Sequence, residues 1–146
     1  MDKLHTKSAV ELAELIRTKK ASAVEVLEHF LAHIEKYNPK LNAIIWMDAE
    51  RGRKRAREAD AALARGEVWG PLHGVPMTIK ESYQVPGSPT TWGLPEYKNN
   101  ITETSALAVE RLEKAGVNLF GKTNVPVLLA DWQSFNPIYG STNNPW

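Results

Sequence analysis

Apolar positions early in the chain recur at the three-to-four-residue spacing of an amphipathic helix. Val26, Leu27, Phe30, Leu31 and Ile34 fall on one helical face. Two starts are legible ahead of such faces. Ser8-Ala-Val-Glu11 and Ser22-Ala-Val-Glu25 both read as capping boxes, in which hydroxyl and carboxylate satisfy otherwise orphaned amides. The second helix is expected to stop near Asn38, because Pro39 lacks an amide hydrogen and disfavours helix in the residue before it. "NAIIWM", Asn42 to Met47, then reads as a short strand. "AERGRKRAREADAALARG" predicts a third helix closed by Gly66, a residue that tolerates the left-handed C-cap.

From Gly70 the pattern changes period. In "GPLHGVPMTIKES", Val75, Met77 and Ile79 alternate with Thr78 and Lys80, which predicts a strand over 75–80. The segment "QVPGSPTTWGLPEYKNN" is too long for a simple connector. A helix from about Ser105 to Ala115 follows, closed by Gly116, and "VNLF" reads as a strand. Strand, loop, helix, strand is a βαβ unit. The expected class is α/β: N-terminal helices followed by part of a mixed, mostly parallel sheet flanked by helices. One incomplete domain over 1–146 is expected, with a helical region at 1–69 and the start of a core at 70–146.

Composition narrows the function classes. Eighteen Lys and Arg against 17 Asp and Glu leave no electrostatic footprint for nucleic acid or an anionic membrane. The basic run Arg51 to Arg57 is bracketed by Asp48, Glu50, Glu58 and Asp60, and reads as a solvated helix face. With no cysteine there is no disulfide, Cys-based zinc site or catalytic thiol. The N-terminus shows no apolar leader core, and no run approaches a membrane span, so a cytoplasmic protein without a cofactor is expected. His29 and His33 have metal-compatible spacing but no third ligand in the sequence, and read as exposed polar residues. His73 reads as a turn-stabilising residue.

Two lysines carry candidate chemistry. "GVNLFGKT", Gly116 to Thr123, fits the pattern of a phosphate-binding loop. Such a loop must run from a strand directly into a helix. Here Gly116 closes a helix, the four intervening residues look like the strand itself, and Pro126 opposes helix afterwards. No nucleotide site is expected; Gly121 reads as opening a turn, and Lys122 as a polar residue at a strand's exit. Lys80 differs: it ends a strand and opens the long loop, the edge at which α/β sheets hold ligands. Desolvation there would favour a neutral amine able to act as a base. A lysine snorkelling to solvent is the alternative from spacing alone.

The motifs "GPLHGVPMTIKES", "TTWG", "GKTNVP" and "NPIYGSTNNPW" keep order and spacing, and together they resemble the N-terminal part of the amidase signature family. That family comprises serine hydrolases of amides, including the glutaminase component of tRNA-dependent amidotransferases and stand-alone bacterial amidases. The resemblance implies an α/β/α sandwich, of which this chain is a part, and a Ser–cis-Ser–Lys arrangement in which Lys80 matches the family lysine. Glu81 stands where many relatives have Asp, a mild departure. The resemblance also makes Thr91, Leu129 and Asp131 candidates for substrate contact, with turn chemistry, core packing and helix capping as their respective alternatives.

A larger departure is an absence. Relatives supply the bridging serine from a "GGSSGG"-like segment after the "TNNPW"-like motif, and the nucleophile lies further on. Ser82, Ser88, Ser105, Ser134 and Ser141 match neither position. The family chain is about three times longer, so the resemblance implies a fragment inactive by itself. Its implied partners are a small-molecule amide in the complete enzyme, and a complementing C-terminal chain or a second copy. A non-catalytic α/β assembly module is the second reading.

Overall fold

The computed structural model describes residues 3–146; Met1 and Asp2, the first residues of the stretch read for a leader, lie outside them. A 3-10 turn at Leu4–Thr6 precedes α1 (Ala9–Arg17), α2 (Ala23–Leu41), β1 (Ile44–Met47), α3 (Ala49–Ala64) and β2 (Pro76–Lys80). A 3-10 turn at Pro95–Tyr97, α4 (Leu107–Lys114), β3 (Asn118–Thr123), a third 3-10 turn at Val127–Leu129, β4 (Phe135–Asn136) and β5 (Gly140–Ser141) complete the order.

Both capping boxes form. Ser8 accepts from the Glu11 amide while Glu11 accepts from the Ser8 amide, and Ser22 and Glu25 repeat the exchange. The expected stop of α2 at Asn38 is corrected: the helix runs to Leu41 with Pro39 inside it. Proline removes the bond from its own nitrogen and crowds the turn before it, but the bonds after it still form. The Asn42 amide closes the last turn on the Asn38 carbonyl at 2.7 Å, and Asn42 then leaves at φ 52°. The Asn38 side chain completes the reversal, accepting from the Ala43 and Ile44 amides at 2.9 Å each.

The chain divides into two compact units, each drawn from three stretches. The first holds residues up to Glu35, then Asp48–Met77 and Arg111–Phe120. Its core gathers Ile16, Val26, Leu27, Ala56, Ala59, Val75 and Phe120. Burying each large aliphatic or aromatic side chain here contributes about 1.5–3 kcal/mol. Small residues bring α3 close. A Cβ at Gly52 would stand 2.8 Å from the Cβ of Phe120. Asp60 of α3 caps α2, accepting from the Ala23 amide at 2.7 Å and the Val24 amide at 3.2 Å. His73 is buried with its tautomer fixed by its partners. The Trp69 amide donates to Nδ1, so Nε2 carries the hydrogen given to the Ala59 carbonyl at 3.0 Å. The basic run of α3 is neutralised locally: Arg53 pairs with Glu28 and Glu50, Arg51 with Glu113, and Arg55 lies over the Trp69 ring.

The second unit holds Lys36–Met47, Thr78–Glu110 and Gly121–Trp146. The sheet order is β1-β3-β2. β1 and β3 are antiparallel, with Ile44 opposite Thr123 and Met47 opposite Gly121. β2 and β3 run in the same direction, since the Asn118 amide bonds the Val75 carbonyl and the Glu81 amide bonds the Thr123 carbonyl. The sheet is therefore mixed. Gly121 sits mid-strand because a Cβ there would come within 3.0 Å of the Trp46 carbonyl. β4 and β5 form a separate antiparallel pair. Asn136 anchors it, donating to Asn124 Oδ1 and the Val125 carbonyl and accepting from the Ile138 and Tyr139 amides. Among the described residues no helix is long and apolar enough to cross a membrane.

Candidate functional site

Lys80 is the last residue of β2, and its side chain is exposed. The chain turns immediately: the Glu81 amide reaches the Thr123 carbonyl at 3.0 Å and the Tyr83 amide folds back on the Lys80 carbonyl. Glu81 points the other way and is fully buried. Its carboxylate accepts from the backbone amides of Thr91 and Trp92 and from the Tyr139 hydroxyl.

The lysine of the apparent phosphate loop is the second charge of this buried network. Gly116 closes α4 at φ 96°, while Gly121, Lys122 and Thr123 lie inside β3, and among the described residues no α-helix begins after them. The strand–loop–helix order that makes a phosphate cradle is not formed. Two expectations need correction here. Gly121 does not open a turn, and Lys122 is no polar residue at a strand exit but a fully buried one. Its ammonium donates to the Pro89 carbonyl and to Thr90 Oγ1, the latter at 2.9 Å. Burial pulls its pKa down from the ordinary lysine value to about 8, against the opposing pull of the Glu81 charge. Burial pushes the Tyr139 phenol up, and the Glu81 charge adds to the effect.

The loop after Lys80 walls a cavity of about 600 Å³. Tyr83, Trp92, Leu94, Tyr97 and Leu128 give it an apolar lining, with Gln84, Thr90 and Asn100 as polar points. Among the sequence candidates, Thr91 also lines this cavity, yet it is fully buried and its Oγ1 accepts from the Gly93 amide. Leu129 is half-buried in a left-handed conformation, φ 62°, directly after Leu128 at φ 53°. Asp131 is exposed and accepts from the Gln133 amide. Neither Leu129 nor Asp131 lines the cavity, and Lys80 does not line it either.

The histidine pair on α2 gains a neighbour that its spacing did not reveal. His5 Nδ1 lies 3.1 Å from His29 Nε2, and the His5 ring stacks on His33 with centroids 4.5 Å apart. Stacked rings do not converge their nitrogens on a point, and among the described residues no group of His, Cys, Asp or Glu is arranged to hold a metal.

Sequence reasoning missed Glu81, Lys122 and Tyr139 as a set. A signal existed for Lys122: no Pro or second Gly separates it from the strand, so "VNLFGKT" can be read as one continuous strand.

The chain is similar to known proteins over most of its length. The amidase family model matches residues 25–146. The acylamidase of Rhodococcus erythropolis is 39% identical over 143 residues, covering 98% of this chain and 30% of its own length. The indoleacetamide hydrolase of Bradyrhizobium diazoefficiens is 40% identical over 139 residues, covering 95% of this chain and 26% of its own. The structure of a fatty acid amide hydrolase superposes with a TM-score of 0.92 at 29% identity, over 99% of this chain and 26% of that one. The chain thus spans less than a third of the length of these relatives.

Proposed function

The chain belongs to the amidase family, and on that premise we propose that Lys80 is the base of a Ser–cis-Ser–Lys amide hydrolase, of which residues 1–146 form one incomplete domain. The observation that carries this is the position of Lys80. It ends β2 beside a strand running in the same direction, where α/β sheets present ligands, and it opens the loop that walls the cavity. In this reading the Lys80 amine takes a proton from a bridging serine, which activates the nucleophilic serine for attack on the amide carbonyl. Backbone amides in a Gly/Ser-rich segment stabilise the oxyanion. Residues 1–146 contain no "GGSSGG"-like stretch, so in this reading the two serines lie outside them and residues 1–146 are inactive by themselves. The substrate is a small neutral amide met in the cytoplasm.

Large apolar side chains at the surface of the second unit support a covering partner. Trp132, Trp146, Leu128 and Phe135 are all exposed. Burying such residues against a complementing C-terminal chain removes them from water at a gain of about 25 cal/mol per Å². The experiment joins this chain to the C-terminal two thirds of an amidase relative and measures amine or ammonia release from neutral amides. Hydrolysis that is lost in Lys80→Ala supports the proposal. Hydrolysis undiminished by Lys80→Ala overturns the role of Lys80.

A further inference from the structure

The turn Pro89–Gly93 has nearly every backbone polar group claimed. The Pro89 carbonyl accepts from Lys122, and the Thr90 amide and carbonyl pair with Asn100. The Thr91 and Trp92 amides go to Glu81, the Thr91 carbonyl accepts from Leu94, and the Trp92 carbonyl accepts from Leu128. This over-determination holds an unfavourable conformation. Trp92 sits at φ 55°, a left-handed geometry that bulky residues avoid, and Gly93 follows at φ 73°. Backbone strain persists only where surrounding structure enforces it, and it concentrates at ligand clamps.

Trp92 also stands on the wall of the cavity, about half exposed, and Tyr83, Tyr97 and Leu94 line it as well. Among the described residues, none that lines the cavity is charged. A lining of three aromatic rings with Gln84, Thr90 and Asn100 suits a neutral ligand that has an apolar body and one or two hydrogen-bonding atoms. It offers no countercharge for a carboxylate or an ammonium.

We propose that this cavity binds the apolar, preferentially aromatic, portion of a neutral amide, with Trp92 as its specificity-determining wall and Glu81 and Lys122 as the positioning residues that hold that wall in its strained form. Glu81 and Lys122 act through the turn and do not touch the ligand. The ligand class rests on the amide-hydrolase reading above; the clamp on the turn does not.

The test is backbone and indole N–H NMR of this chain, titrated with 2-phenylacetamide, and with acetamide as the control that lacks an apolar body. Resonances of Thr90–Leu94 and the Trp92 indole should shift saturably with 2-phenylacetamide, at an affinity about tenfold or more above acetamide. Trp92→Gly keeps the left-handed backbone without strain and removes the wall. It should keep the dispersed spectrum and weaken 2-phenylacetamide about tenfold. Lys122→Met should displace the Thr90–Leu94 amides and weaken the ligand similarly; if it does not fold, Glu81→Gln is read in its place. No saturable shift in the native chain overturns the cavity assignment. Native affinity in Lys122→Met or Glu81→Gln overturns the clamp. Hydrolysis is not read at any point, so either failure stands apart from the fate of Lys80.

Discussion

Replacing Lys122 with methionine removes the titration of a buried ammonium from the pH dependence of stability. Methionine keeps most of the aliphatic volume and removes the charge. In the folded chain Lys122 loses its proton near pH 8, while in the unfolded chain it keeps it to about 10.5, the ordinary lysine value. Between those values the unfolded state binds more protons, so stability rises with pH, the reverse of the usual alkaline trend. The cost of the buried charge is fully present below pH 8 and is relieved as pH climbs. Each tenfold difference in proton affinity is worth about 1.4 kcal/mol, so the whole effect is about 3 kcal/mol. Tyr139 opposes it above its ordinary value of 10.0, because the folded state then holds a proton that the unfolded state has lost. The clean window is therefore pH 8 to 10, with an expected relative gain of about 2–3 kcal/mol for the native chain over Lys122→Met. Urea unfolding at stepped pH, followed by far-UV circular dichroism, measures it. Curves for the two proteins that stay parallel across the window refute the reasoning.

Three further outcomes are expected from the same denaturation assay. Gly52→Ala gains up to about 1 kcal/mol of helix propensity, but its Cβ meets that of Phe120 at 2.8 Å, and overpacking of about 1–3 kcal/mol leaves a net loss; a more stable variant would show that α3 yields freely. Asp60→Ala unpairs two amides at the start of α2 and should cost about 1–2 kcal/mol, with Asp60→Asn recovering part of it. His73→Leu leaves the Trp69 amide and the Ala59 carbonyl without their partner in the core, for a loss of about 2–4 kcal/mol; an unchanged midpoint would deny the histidine its structural role.

Local chemistry made much of the fold readable. Capping boxes at Ser8 and Ser22 act within four residues, so sequence alone specifies them, and alternation over Val75–Lys80 located β2 at once. Pro39 misled because its effect on α2 depends on what the next residues bond to, and Asn38 and Asn42 supply those bonds. The place of Lys80 at the end of β2 was legible from the same alternation. The burial of Lys122 was not legible, because lysine composition points to the surface and only tertiary structure brings Thr90, Pro89 and Glu81 around it from 32, 33 and 41 positions upstream. Trp92 likewise carries no sequence mark of its left-handed backbone; only its following glycine hints at the turn.

The interleaved build of the chain also constrains how it can be made. Within residues 1–146, one unit draws its last stretch from Arg111–Phe120 and the other from Gly121–Trp146, although each begins before residue 50. On a ribosome, α1, α2 and α3 therefore emerge long before the strand that completes their core, with Leu27 and Val26 still lacking the cover of Phe120. Neither unit can close before its last stretch has been synthesised. The nascent chain therefore exposes apolar surface over that interval, and slowing translation upstream of codon 111 should raise aggregation rather than yield.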